Sequence, residues 1–411
     1  MKHLIFIGLL SILCSCNQNL DTNPSNAQDW TTAYTDFPKL IDRHEALQYG
    51  KEWENIQSEY GSYRDQIIHQ QDEVQARIKL AELFCNEAKI TGEHPYYYPL
   101  ALAQYDSALA ILNGKETDET FRSLSGKASV FLSLHHFEDA LQIGKKALAL
   151  NAHNANIYGI LTDANVELGN YTEAITYADK MVSIRPDIRS YSRISYLREL
   201  HGMTPEAIDA MKLAIQSSYP GTEDRAWAMV TLAHLLYDNQ AFQESQNVVD
   251  RILSERPLYP FALEIKAMLE IQKGNQEEAE ALLKQAISII PEVSFQIQLA
   301  EIYKSQHRDI EFNNALQSIY EMMKEDSDKG HNMNLELAQL YLDLGNEPQK
   351  ALELALKEYQ VRPQNIMVNL LLSKIYLKQS KIENSKKHAI VASATNFEHQ
   401  ELKSIQNELR L

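Results

Sequence analysis

A small residue returns along most of this chain at nearly constant intervals: Ala140, Ala174, Ala207, Ser245, Ala279, then Phe312 in its place, Ala351 and Ser385. The steps are 34, 33, 38, 34, 33, 39 and 34 residues. A second small-residue series, Ala128, Thr162, Ser195, Ala233, Ala267, Ala300, Ala338 and Ser373, recurs in step with it. A repeat of this length is one supersecondary unit. It cannot bury its apolar face alone, so copies stack on one another and the chain grows by adding units rather than by enlarging a single core. The two long steps place their extra residues in loop-like sequence, Ser218–Asp224 and Glu325–His331.

The clearest copy lies at 155–188. A helix is expected from Ala155 to Leu168, with Tyr158, Leu161, Thr162 and Asn165 at helical spacing. Gly169 stops it, since a residue without Cβ accepts the left-handed conformation of a helix C-cap. Asn170 with Glu173 forms a capping-box pattern for a second helix, whose Ala174, Ala178 and Met181 share one face. Pro186 closes the unit, as Pro257, Pro291 and Pro363 close others.

This pattern resembles the tetratricopeptide repeat family, which places a small residue at position 8, Gly at 15, Ala at 20 and 27 and Pro at 32. The unit at 155–188 carries Thr162, Gly169, Tyr171, Ala174, Ala178, Met181 and Pro186, but has Asn165 where the family has an aromatic. The units at 260–293 and 331–365 carry the same marks, while that at 293–327 is degenerate, with Phe312 for Ala. The first unit opens at Val74, with an enlarged inter-helix loop from Ile90 to Tyr98 and a second helix from Pro99. The resemblance implies an all-α, right-handed α-solenoid of about nine units over 74–399. An N-terminal helical extension at 30–73 and a C-terminal helix at 400–411, with Leu402, Ile405 and Leu409 on one stripe, cap its ends.

Residues 1–15 read as a signal peptide: Lys2, a ten-residue apolar core from Leu4 to Leu13, too short to span a bilayer, then Cys14-Ser15-Cys16. The last step resembles a bacterial lipobox, which makes Cys16 the lipidated residue, and Asn17 after it resembles an outer-membrane sorting signal. Residues 16–29 are polar and read as a tether. Removal of Cys14 leaves Cys85 beside the lipidated Cys16, so no intrachain disulfide is available and Cys85 reads as a small buried hydrophobe.

Chemistry is sparse. The sequence holds no GxSxG, P-loop, HExxH or CxxC motif, and no enzyme activity, cofactor or metal is expected. His135 and His136 fall in a turn, where neighbouring side chains diverge. With 39 Lys and Arg against 56 Asp and Glu, net −17, the chain lacks the basic footprint that nucleic acid demands. The expected site is the concave face. The resemblance directs specified first-helix positions into the groove: Asn156 and Asp163 in one unit, Arg189, Arg193 and Tyr196 in the next, Trp227, His234 and Tyr237 in the third. Trp, Tyr and Arg dominate binding hot spots. Arg189 and Arg193, four apart on one helix face, suit a peptide carboxylate. They match the basic positions of the carboxylate-clamp subclass, although Ser125, Ser129 and Ile160 depart from its other positions. A second candidate is the proline-flanked aromatic run His94–Pro99. The function expected is a membrane-anchored scaffold in the bacterial envelope. Envelope proteins or peptides would bind in the groove, and only the lipid would touch the membrane. The alternative is a nutrient-binding lipoprotein of the SusD type.

Overall fold

The computed structural model describes residues 36–411, so the signal peptide, Cys16, the tether and Trp30 lie outside the described residues. The described residues form twenty α-helices and one 3-10 turn, with no strand. Helix α1 (Glu52–His69) precedes nine helix pairs. Units 1 to 3 are α2 (Val74–Thr91) with α3 (His94–Leu112), α4 (Asp118–Ser133) with α5 (Phe137–Leu150), and α6 (Ala155–Leu168) with α7 (Tyr171–Ile184). Units 4 to 6 are α8 (Ile188–Leu200) with α9 (Thr204–Gln216), α10 (Glu223–Asp238) with α11 (Phe242–Glu255), and α12 (Pro260–Gln272) with α13 (Gln276–Ile289). Units 7 to 9 are α14 (Val293–Ser305) with α15 (Asp309–Asp328), α16 (Asn334–Asp343) with α17 (Pro348–Val361), and α18 (Ile366–Lys378) with α19 (Ile382–Ala392); α20 (Gln400–Leu409) follows. The architecture is an α-solenoid.

The two small-residue series mark where the helices of a pair cross. Their alanines, threonine and serines are buried from end to end. Where serine replaces alanine, its hydroxyl donates to the facing helix: Ser195 to the Ala207 carbonyl and Ser245 to the Ala233 carbonyl, both at 2.7 Å. Ser373 and Ser385 each donate to the other's carbonyl. A buried hydroxyl with a partner is tolerated where an orphaned one is not, so Ser and Ala interchange here.

Seven residues after the first small residue, the turn of nearly every unit takes positive φ: His135, Gly169, Gly202, Gln240, Gly274, His307 and Ser380, with Asn346 one place late. The unit at 293–327 obeys the rule through Ala300 and His307, so it is in register with its neighbours and only Phe312 is unusual. Residues with a Cβ cost roughly 1–2 kcal/mol in this conformation. Gln240 and His307 are exposed. Replacing either by glycine is expected to raise stability by about 1 kcal/mol, read as a shift in the urea midpoint at unchanged slope.

Local expectations fail in three places. Asn170 makes no side-chain cap bond; its amide donates instead to Asn165 Oδ1 at 3.2 Å. Asn165 also donates to the Leu161 carbonyl at 2.7 Å, which lets a polar side chain fill a buried aromatic position. The run at 94–99 is not an enlarged loop. Helix α2 continues to Thr91, Gly92 turns the chain at φ 72°, and His94–Pro99 forms the start of α3 with Tyr97 and Tyr98 fully buried. The extra residues after Glu325 lengthen α15 to 20 residues rather than forming a loop.

Residues 37–51 lie across unit 1. Tyr60 and Tyr96 donate to the carbonyls of Pro38 and Lys39, both at 2.6 Å, and the Ile41 amide donates to the Tyr97 hydroxyl at 2.9 Å. Arg43 is buried against the buried Glu87, Nε to Oε2 at 2.9 Å. At the other end, Leu402, Ile405 and Leu409 of α20 cover Leu370, Ala389 and Ala392.

The first helices of units 1 to 6, and those of units 8 and 9, pack successively against one another, which narrows that side and makes it the inner wall. The coil is closed. Contacts between residues 194 to 204 apart in sequence join one superhelical turn to the next, which corresponds to about six units per turn. The intra-unit turns of units 2 to 4 meet the linkers that follow units 7 to 9. His135 and His136 touch Asn332 and Gly330. Glu167 and Tyr171 touch Arg362, Asn365 and Ile366. An alanine Cβ at Gly202 would lie 2.5 Å from the Asn396 carbonyl oxygen. Before these, Gly92 packs on Ile290 and Pro291, and Arg256 is ion-paired to Glu52 at 2.8 Å and to Glu223 at 3.1 Å. Edge-to-edge stacking fixes the rise per turn at about one helix length, roughly 20 Å for helices of this size.

Candidate functional site

The inner wall of units 3 to 5 carries the expected groove residues, and the structure sorts them into three kinds. Asn156, Asp163, Arg189 and Arg193 form a polar ladder between α6 and α8. Asp163 and Arg193 pair through two bonds, Nε–Oδ1 at 2.8 Å and Nη2–Oδ2 at 2.6 Å. Arg193 also donates to the carbonyls of Gly159 and Arg189, at 3.3 and 2.9 Å. A Cβ on Gly159 would lie 3.0 Å from the Arg193 guanidinium carbon, so this glycine gives the arginine its seat. The Asn156 Oδ1 accepts from Arg185 at 2.7 Å and from Arg189 at 3.4 Å. Arg193 is thus committed to Asp163, and Arg189 is the guanidinium of the pair with freedom to meet a ligand.

Tyr196 and Trp227 are of the second kind, partly open to solvent. Tyr196 is 41% exposed, yet the protein around it, with Glu167 and Glu199 adding charge, holds its hydroxyl well above the usual phenol range. Lys89 of α2 behaves likewise: it is exposed, but desolvation and the charges of Arg189 and Arg193 push its pKa down, against the opposing pull of Asp224. The charges of α8 thus bear on Lys89 of α2, an influence that no local motif reveals.

His234 and Tyr237 are buried and do not present themselves to a ligand. Tyr237 accepts from Gln272 Nε2 at 2.9 Å and donates to the Met268 carbonyl at 3.4 Å, tying unit 5 to unit 6. His234 Nε2 stands 3.8 Å from Glu264 Oε2, and Glu264 accepts from Gln298 at 2.5 Å. Burial pushes Glu264 up to about 8. Sequence spacing places positions on a helix face; it does not say how deeply the next unit covers them.

Among the described residues no group of three His, Cys, Asp or Glu side chains is placed to hold a metal ion. Burial pushes the Cys85 thiol up to about 12, so it stays protonated and unreactive near neutrality. His135 and His136 do not diverge to solvent: both reach the same linker, at 3.2 Å from the Asn332 carbonyl oxygen and 2.8 Å from that of Gly330. What this wall offers is hydrogen-bonding groups, two partly open aromatic side chains and a few cations.

Comparison with known proteins finds this repeat in the sequence. The tetratricopeptide repeat family profile matches residues 126–187 and 230–293. No curated protein matches by sequence. Among solved structures, the Cut9–Hcn1 heterotetramer of the APC/C aligns at TM-score 0.49 with 13% identity over 87% of this chain and 66% of that one. A tetratricopeptide repeat protein from Parabacteroides merdae aligns at 0.43, 15% identical, over 61% of this chain and 99% of that one. PilW, a type IV pilus biogenesis factor, aligns at 0.41, 14% identical, over 49% and 93%. The profile match shows tetratricopeptide repeats at 126–187 and 230–293, and the helix pairs of the other units follow the same register.

Proposed function

We propose that this protein is a scaffold of the bacterial cell envelope. In this reading residues 1–15 are removed, lipid on Cys16 holds the protein at the outer membrane, residues 16–29 serve as the tether, and the concave channel binds an extended peptide or a segment of a partner protein. The observation that carries it is the inner wall of units 3 to 5: exposed Tyr196, half-open Trp227 and the Asn156–Arg189 and Asp163–Arg193 ladder, facing Lys89, in a chain whose net charge is −17. Cations gathered on the inside of an acidic protein favour a carboxylate-bearing ligand, since that is where the protein's own field attracts one. The lipobox-like Leu13-Cys14-Ser15-Cys16 supports the anchor.

The test is crosslinking capture of the mature protein from a membrane extract, followed by mass spectrometry. Arg189→Glu is expected to reduce capture of the specific partner at least tenfold while leaving thermal unfolding unchanged, because the side chain is exposed. Arg193→Glu adds the loss of the Asp163 pair and is expected to weaken capture and stability together. Capture of glycans alone, or partner capture indifferent to Arg189→Glu, counts against the channel as the site.

A further inference from the structure

The contact between successive turns of the coil contains an unusual group of imidazoles. His331, in the linker between α15 and α16, is only 4% exposed, and neither ring nitrogen has a hydrogen-bond partner. Its ring centroid lies 4.2 Å from that of His135, which reaches over from the turn of unit 2 and sits 3.2 Å from Glu336 Oε1. Beside them, the Asn332 amide donates to the Leu134 carbonyl at 3.2 Å, a backbone hydrogen bond from one turn to the other.

We propose that this contact is a pH-sensitive clasp: protonation of His331 separates the linker at 330–333 from the turn between α4 and α5 and opens the side of the channel. This deepens the scaffold reading, since the clasp regulates access to the same concave site, but the clasp itself is measurable without any partner.

A proton on His331 would place an unpaired cation in a buried site against a second imidazole. Burial holds His331 well below the ordinary imidazole range, and His135, His94 and His136 add to the effect. His94, at the start of α3, is likewise driven down by burial to about 3, with Lys89 contributing. His135 moves the other way. Burial lowers it, but Glu336, and Glu167 from α6, outweigh burial and the charge of Arg362 from α17, leaving it raised. Glu358 of α17 faces the same linker through its bond to Asn332 at 2.6 Å. Asp326 and Glu292 oppose the histidines: burial raises them to about 8 and about 7, with Glu292 and Glu325 adding to the shift of Asp326.

The sign follows. A group harder to protonate in the closed coil supports closure fully above its ordinary pKa, near 6.5, and that support is lost as pH falls below it. His135, shifted the other way, takes its proton at higher pH than an ordinary imidazole. The raised carboxylates favour closure at low pH and lose that effect as pH rises toward about 8, so the contribution of His331 must be isolated by comparison with a variant that shares them.

The experiment is hydrogen exchange by mass spectrometry, corrected for intrinsic rates, on the mature protein and on His331→Phe. Peptides covering Asn332 report the clasp. Peptides covering Ile366, whose amide donates to Tyr171 across the next contact between turns at 3.0 Å, report a contact with no imidazole in its bond. The ratio of wild-type to variant protection at Asn332 is expected to fall about 15-fold from pH 6.5 to 5, because an imidazole of ordinary pKa is half protonated at the start of that interval and fully so at its end, while the ratio at Ile366 stays constant. His331→Asn serves if the larger ring distorts the fold. A flat ratio at Asn332, or an equal change at Ile366, overturns the clasp. Loss of partner capture with an intact pH response would overturn the channel reading and leave the clasp standing.

Discussion

Alanine at Gly169 is expected to part the two turns of the coil, whereas alanine at Gly274 should cost only about 1 kcal/mol. Both glycines take positive φ, at 82° and 84°, and share the backbone penalty of roughly 1–2 kcal/mol. Their surroundings differ. A Cβ at Gly274 meets nothing within 4 Å, while at Gly169 it would lie 2.5 Å from the Gln364 carbonyl carbon and 2.7 Å from the Asn365 nitrogen. Backbone cannot turn aside as a side chain can. Relief requires moving the linker after unit 8, which carries the Asn365 bond to the Glu167 carbonyl and the Ile366 bond to Tyr171. Small-angle scattering should show an expanded radius of gyration for Gly169→Ala and none for Gly274→Ala. The glycine series itself shows that φ is not the main reason for Gly169: Gln240, His307 and Ser380 occupy the same turn position with side chains attached. Equal expansion in both variants, or in neither, would remove the contact between turns as the role of Gly169.

Arg362→Ala is expected to be the most destabilising single change at the same contact, by about 3–5 kcal/mol, because it strands a buried charge. Arg362 is 3% exposed and bonds Glu358 through Nε and Glu167 through Nη1, both at 2.7 Å, with its guanidinium 4.8 Å from the Phe137 ring. Glu358 is 1% exposed and retains only Asn332 and Asn334 as partners once the arginine is gone. Removing both charges, in Arg362→Met with Glu358→Gln, should recover much of the loss. A buried pair contributes little net stability, and breaking one half carries the penalty. Urea unfolding of the two singles and the double, closed as a thermodynamic cycle, measures the coupling. A double variant as unstable as Arg362→Ala would mean that the arginine acts through shape rather than charge.

Much of the fold was legible because a repeat reports its own geometry many times over. The helix at 155–168 coincides with its expected span, and the second helix of that unit falls between the expected Asn170 and Pro186. The small residues mark the crossings, and Leu402, Ile405 and Leu409 bury the stripe that spacing assigns them. Misreadings fell where local signals compete. Pro95 and Pro99 suggest a loop, but Pro95 lies in the first turn of the helix, where its missing N–H is not needed, and the helix runs on through Pro99. Asn170 fits a capping pattern, but the buried Asn165 claims its amide. At the site, helix-face positions were readable and depth was not. His234 and Tyr237 share a periodicity with Trp227, yet only Trp227 stays partly open, because unit 6 covers the others.

The amino-acid order alone determined a period, and with it a stack of helix pairs whose small residues cross and whose first helices line one wall. It could not determine how tightly that stack coils, because the angle between neighbouring units is set by packing between side chains of every size along their contact. Only the tertiary structure brought residues about 195 positions apart together. That closure seats Arg362 between Glu358 and Glu167 and buries His331 against His135.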